Sequence, residues 1–207
     1  MALRPTATLV LAAVTAVAFL FIMLSGSAQE AAYGLGFIPA RLGMQVSWPA
    51  LPFWLTPLSA TLVHAGFLHL VMNLLLLVWC GKAVERVLGP GPVLALYVTG
   101  AFAAAAGHYL TDPASIYPGI GASGAVSALV GAFAISFSRP KPIVRSFALN
   151  RALNTLWILV AWIVLQWMTA WLMGLQGVFI ATGAHIGGFL AGILLQKPLL
   201  LWRYRKA

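Results

Sequence analysis

Of the chain's 207 residues, 62% are hydrophobic and 7% charged, and the formal net charge is +9. A soluble domain carries about 25% charged residues, so too little charge is present to cover a surface in water, and the chain is read as an integral membrane protein. A single cysteine, Cys80, excludes an internal disulfide and says nothing of redox compartment.

A hydrocarbon core of about 30 Å takes roughly 20 residues of helix to cross. Six apolar stretches approach that length: residues 8–24, 60–80, 91–110, 123–137, 153–173 and 178–195. They predict an all-α, six-helix transmembrane bundle, with residues 1–207 forming one domain. Arg4 before the first run suits a signal peptide, but no cleavage site follows, so a retained helix is expected. The loop at 25–59 holds Trp48, Pro49, Pro52, Phe53, Trp54 and Pro57. So apolar a loop is expected to lie partly in the outer leaflet or to form an aromatic belt. Residues 81–89 read as a helix end turning back at the inner surface. The fourth stretch is short, and the apolar residues before Ser123 extend its buried path. The segment 139–152 reads as a connection, and Trp202 to Lys206 as a tail lying on the inner headgroups.

Six crossings put both termini on one side. With the N-terminus inside, Arg4, Lys82, Arg86, Arg139, Lys141, Arg145, Arg151, Lys197, Arg203, Arg205 and Lys206 are all cytoplasmic, and only Arg41 is outside. The basic excess is therefore a topology signal, and it excludes a nucleic-acid partner. Membrane lipid is the expected surrounding.

The fourth stretch opens with Gly121-Ala-Ser-Gly-Ala125, after the loop Tyr117-Pro-Gly-Ile-Gly121. A serine hydroxyl needs a base beside it to act as a nucleophile. In the first turn of a helix it also lies among backbone N–H groups that have no helical partner and can hold an oxyanion. The pentapeptide alone equally suits small-residue helix packing, or the strand–turn–helix elbow of soluble hydrolases, although a loop and not a strand comes before it.

Other polar groups in the apolar stretches point the same way. His69 and Asn73 are four apart and share a helix face. His185, Gly188 and Gly192 share a face of the sixth stretch, and Ser123, Ser127 and Gly131 share one on the fourth. Two such faces can bring Ser123 and His185 together. At 1.5 Å per residue from the first inner charge of each helix, His69 lies about 20 Å up, His185 about 18 Å, Ser123 about 24 Å and Asn73 about 14 Å. Serine and both histidines thus fall in one layer of the outer half. An intramembrane ionisable residue is costly to bury and marks a functional site. His64 is expected to order the loop before its helix, His108 to be interfacial, and Gln166 to be a lone packing polar residue. A histidine metal site would draw on His64, His69 and His185, but His64 and His69, five apart, would face different ways on one helix. No metal or cofactor is expected.

These residues resemble the rhomboid family of intramembrane serine proteases. The likeness covers His64, His69 and Asn73 as H-x4-H-x3-N, Gly121–Gly124 as G-x-S-G, Ala184–Gly192 as A-H-x2-G-x3-G, and Glu85–Gly89 as E-R-x-x-G. The resemblance implies a serine–histidine dyad with no acidic third member. Ser123 would attack the scissile carbonyl and His185 would take its proton and pass it to the leaving amine. His69, Asn73 and the Ser123 N–H would form the oxyanion hole. Substrates would be single-pass transmembrane proteins, cut near the outer interface, and the helix at 153–173 would serve as a lateral gate. Its Trp157, Trp162, Trp167 and Trp171 form no single stripe, so several face lipid. With so little chain outside the membrane, a bacterial inner membrane is the expected location.

The chain departs from the family pattern twice. Ser127 stands where many rhomboids have a Tyr beneath the histidine, which leaves the support of His185 open. Trp54 is followed by Leu55, where many have Arg. A proteolytically silent rhomboid relative that binds membrane clients is the alternative, although such relatives usually lack the serine or the histidine. A small transporter would need polar residues continuing to the inner face, and below Asn73 the helices are nearly all apolar.

Overall fold

The computed structural model describes residues 6–43, 49–140, 142–175 and 180–205. Among these residues eight α-helices follow in chain order: α1 (Ala7–Leu24), α2 (Ala28–Leu35), α3 (Thr56–Ser59), α4 (Phe67–Leu88), α5 (Pro90–Thr111), α6 (Ser123–Phe137), α7 (Phe147–Gly174) and α8 (Thr182–Arg203). Short 3₁₀ turns at Pro39–Leu42, Phe53–Leu55 and Ala60–Leu62 shape the connection from α2 to α4. Among the described residues there is no strand, only one antiparallel bridge between Phe37 and Gly119. Helices α1, α4, α5, α7 and α8 are long and apolar enough to cross a membrane, and α6, at 15 residues, is shorter. The chain is an all-α integral membrane protein.

The helices keep the expected order but not every expected boundary. The second apolar stretch was expected over 60–80, yet α4 begins at Phe67 and continues past Lys82, Glu85 and Arg86 to Leu88. Apolarity marks burial, and residues 60–66, most of them buried, form a 3₁₀ turn and a loop and not α-helix. Gly89, at φ +86°, makes the tight link to α5. Helix α7 starts at Phe147, taking up part of the expected connection at 139–152, and α8 runs on through Pro198 to Arg203. The long loop at 25–59 is not structureless, because it contains α2 and the 3₁₀ turns. Arg4, Trp48, Lys141 and Lys206 lie outside the described residues.

Helices α4, α5, α6 and α8 form the packed centre. Leu77, Val84, Leu88, Val93, Leu96 and Leu129 are fully buried where α4, α5 and α6 meet. Helix α8 lies across α5 and α6. Between membrane helices there is little hydrophobic drive, so close backbone approach through small residues does the work. A Cβ on Gly187 would overlap the carbonyl oxygen of Ala103, and one on Gly183 that of Gly107, so α8 rides directly on the α5 backbone. Helix α7 is different. It packs on α8 at the rim, and among its described residues only Asn150 and Gln166 are buried.

At the basic end of the bundle, Glu85 caps α1. Its carboxylate accepts the Ala7 N–H at 2.8 Å, the Thr8 N–H at 3.0 Å and the Thr8 hydroxyl at 2.6 Å. First-turn N–H groups have no helical acceptor, and a carboxylate there also meets the positive end of the helix dipole. The cap ties α1 to α4, 77 residues later. We predict that Glu85→Ala lowers stability by about 1–3 kcal/mol, read as an earlier thermal melt in detergent. An unchanged melt would mean that water replaces the carboxylate at no cost.

Candidate active site

The segment before α6 is held from two sides. Phe37 N–H donates to the Gly119 carbonyl at 3.0 Å, and Gly119 N–H donates back to Phe37 at 2.8 Å. Gly121 N–H donates to the Ala60 carbonyl at 2.9 Å, and Ala122 N–H to His64 Nε2 at 3.4 Å. Irregular backbone is tolerated at membrane depth only where protein or a wet cavity satisfies it, and these bonds do so. They also account for the residues at 60–66. Because that stretch is not α-helix, its Ala60 carbonyl and its His64 side chain are available to bond the loop. Helix α6, at 15 residues, is about 22 Å long, shorter than a core of about 30 Å.

Ser123 is the first residue of α6 and is half-buried. The N–H groups of Ser123, Gly124 and Ala125 have no acceptor among the described residues, as a helix N-terminus dictates. His185, in the first turn of α8, directs Nε2 at the Ser123 hydroxyl, 2.8 Å away. The two helices meet glycine on backbone. A Cβ on Gly188 would overlap the Gly124 carbonyl oxygen, one on Gly192 that of Ala128, and one on Gly131 that of Phe189. The small-residue faces of α6 and α8 thus bring Ser123 and His185 into contact.

On the other side of His185, Nδ1 lies 2.6 Å from Gln166 Oε1 on α7. Gln166 is therefore not the lone packing residue expected from sequence. Nothing in a lone glutamine within an apolar run names its partner, and the signal that could have found it is its height. It lies near the level of His185, in a helix that is otherwise almost without polar groups at that depth. Ser127 gives the imidazole no support. Its hydroxyl donates to the Ser123 carbonyl at 2.7 Å, inside α6.

His69 Nδ1 accepts the Ala65 N–H at 3.3 Å, which leaves the proton on Nε2. That edge of the ring lies against Gly121, where an added Cβ would be 2.7 Å from both Cε1 and Nε2. Nε2–H is thus a donor two residues before Ser123. Asn73 is buried one turn further along, and its Nδ2 donates to the His69 carbonyl at 2.8 Å, leaving one amide hydrogen uncommitted. The His64 and His69 rings, expected on different faces, lie with centroids 5.0 Å apart, because His64 precedes α4 and is not on it. His108, expected at the interface, is buried near the end of α5, with its ring 6.0 Å from that of Phe37. No group of three or more His, Cys, Asp or Glu residues is close enough to hold a metal among the described residues.

Fold and site together define a helical membrane protein with a serine–histidine contact at the start of a short helix. The Rhomboid domain family model matches residues 53–202, and the chain belongs to the rhomboid family. It is 32% identical to RHOMBOID-like protein 5 of Arabidopsis thaliana, over 70% of this chain and 43% of that one. It is 30% identical to Rhomboid protease GluP of Bacillus subtilis, over 71% of this chain and 28% of that protein. It is also 30% identical to Rhomboid protease GlpG of Serratia proteamaculans, over 72% of this chain and 51% of that protein. The chain thus matches between 28% and 51% of these relatives' lengths.

Gly121 is the position where sequence and geometry leave least room. Its φ is +109°, a region that L side chains rarely adopt, and His69 fills the space a Cβ would need. We predict that Gly121→Ala costs about 1–3 kcal/mol from backbone strain, and that the melting temperature falls. A variant that melts with the wild type would mean that the loop relaxes without His69 moving far.

Proposed function

We propose that the protein is an intramembrane serine endopeptidase that cuts a transmembrane segment of another membrane protein. The observation that carries this reading is the 2.8 Å contact between Ser123 Oγ and His185 Nε2 beside the unbonded N–H groups of the α6 N-terminus. In the proposed reaction His185 takes the Ser123 proton as Oγ adds to the scissile carbonyl. The tetrahedral oxyanion is held by the Ser123 N–H, by His69 Nε2–H and by the uncommitted amide hydrogen of Asn73. His185 then protonates the leaving amine and an acyl-enzyme remains. Water, deprotonated by His185, releases it and restores the serine. No acidic third member takes part.

In this reading the chain crosses the membrane six times, with α6 as the shortest crossing. Both termini and the basic helix ends are cytoplasmic, and the site lies in the outer half, open to water from that side. The substrate is a single-pass helix that unwinds near the outer interface, and α7, the least packed helix, is the side from which it enters. We place it in a bacterial inner membrane, as two of the relatives named above are bacterial, although a plant protein stands beside them.

The direct test is covalent labelling of purified protein by a fluorophosphonate, read at peptide resolution. Ser123 should be the one modified residue, with labelling lost in Ser123→Ala and strongly reduced in His185→Ala. A folded wild type that is not labelled would favour a proteolytically silent client-binding protein.

Two substitutions test the supporting roles. Asn73→Ala should lower kcat by about 10²–10³-fold, the usual cost of one oxyanion donor, while stability falls little, since the bond its amide donates stays within α4, to the His69 carbonyl. A variant that stays active but melts early would make Asn73 a packing residue. Ser127→Ala should be nearly silent in turnover, because its hydroxyl bonds only within α6. A large loss of activity at unchanged stability would mean that the Ser127 hydroxyl orients His185 itself.

A further inference from the structure

Helix α7 is attached to the rest of the molecule by few groups. Near its start, Asn150 Oδ1 accepts the N–H groups of Ile143 and Val144, each at 2.9 Å, and Asn154 Nδ2 donates to Ser138 Oγ at 2.9 Å. Further along, an apolar groove lined by Leu156, Leu159, Leu190 and Leu194 runs between α7 and α8. Then come two contacts with α8. Trp162 stacks on Phe189, with centroids 4.7 Å apart and planes 8° apart. Gln166, 7% exposed, meets His185.

A glutamine among lipid-facing neighbours must satisfy its amide within the protein. Here the partner is the one imidazole nitrogen that does not face Ser123. With Gln166 Oε1 as acceptor, His185 carries its proton on Nδ1 and keeps the Nε2 lone pair toward the serine hydroxyl. That is the tautomer a general base requires. The bond also limits rotation of a ring that the Ser127 hydroxyl, bonded within α6, does not hold.

Resting on the proteolytic reading above, we propose that Gln166 is a positioning residue for His185, and that it makes the alignment of the dyad depend on where α7 sits. Gln166 does not touch the reacting atoms. It acts through His185, and it is carried by the helix least committed to the bundle. A shift of α7 away from α8 lengthens the Gln166–His185 bond and releases the ring. Its return realigns the base. As a neutral amide, Gln166 orients the imidazole without adding the charge that a carboxylate would.

The experiment measures the rate of fluorophosphonate labelling of Ser123 in the purified full chain as a function of pH. Gln166→Met fills similar volume with no strong acceptor. It should slow labelling by about 10–10²-fold, in line with the cost of misplacing a catalytic group by about 1 Å. Gln166→Glu restores an acceptor and adds charge. A carboxylate beside the ring favours imidazolium, and the base must be neutral, so the acidic limb of the rate profile should move to higher pH. A side chain at 166 that is turned away from the ring would not move that limb. Trp162→Ala, which loosens α7, should slow labelling in the wild-type background but add little to Gln166→Met, as expected for residues acting through one contact.

Wild-type labelling rates in Gln166→Met with only an earlier melt, or a Gln166→Glu profile that superposes on the wild type, would overturn the proposal. If Gln166→Met does not fold, the Gln166→Glu profile decides. Additive effects of Trp162→Ala and Gln166→Met would overturn the dependence on α7. A wild type whose Ser123 is not labelled at all would instead overturn the proteolytic reading. Labelled wild type with unaffected Gln166 variants would overturn this inference alone.

Discussion

The backbone approach between α6 and α8 is the constraint on which the site depends. In lipid, apolar side chains gain nothing by leaving one apolar surrounding for another. Helices then hold together by how closely their backbones fit. Gly131, Gly188 and Gly192 remove side chains along the α6–α8 seam, where a Cβ on any of them would overlap a facing carbonyl. That fit sets the distance between Ser123 at the start of α6 and His185 at the start of α8. It also explains why both groups sit in first turns. The seam brings two helix N-termini to one level, so the hydroxyl, the imidazole and a set of unbonded N–H groups share a small volume.

A second layer of order surrounds the seam. The loop before Ser123 is pinned to Phe37, Ala60 and His64, which come from the segment between α2 and α4. Bonds from so far back in the chain set the Gly121 turn against the His69 ring. At the other end, Glu85 fastens α1 to α4. Helix α7 stands apart from this. Its buried groups are amides and its wide face is exposed tryptophan and leucine, with Trp157, Trp167 and Trp171 all outward. The molecule thus joins a close-packed centre to one loosely held helix. Among the described residues, the polar contact of that helix nearest the site falls on the imidazole.

Much of this was legible in the residues, and the reasons differ from element to element. The apolar runs mark α1, α4, α5, α6, α7 and α8, because burying a helix in lipid demands continuous hydrophobicity. The i, i+3 and i+4 spacings predict which glycines share a face with Ser123 and His185. Helix ends were less legible. Residues 60–66 are as apolar as a helix but form a 3₁₀ turn and a loop, since hydropathy reports burial and not backbone shape. That error placed His64 on α4 and separated it from His69, when the two rings are neighbours. Gln166 was legible as an oddity but not as a partner. Its bond to His185 depends on the rotation of α7 about its axis, and an apolar helix without a clear stripe does not declare that rotation. Family resemblance raised the question of what supports the histidine once Ser127 replaces a ring, but the answer lies on a different helix.

If the seam between α6 and α8 creates a working nucleophile inside a membrane, reconstituted vesicles should reveal it most directly. Purified protein and a single-pass model substrate are placed in the same liposomes, and new peptide termini are sought by mass spectrometry. Cleavage near the outer end of the substrate's helix is predicted, present with the wild type and absent with Ser123→Ala. A substrate left intact by folded wild-type protein, or cut equally by Ser123→Ala, would contradict it.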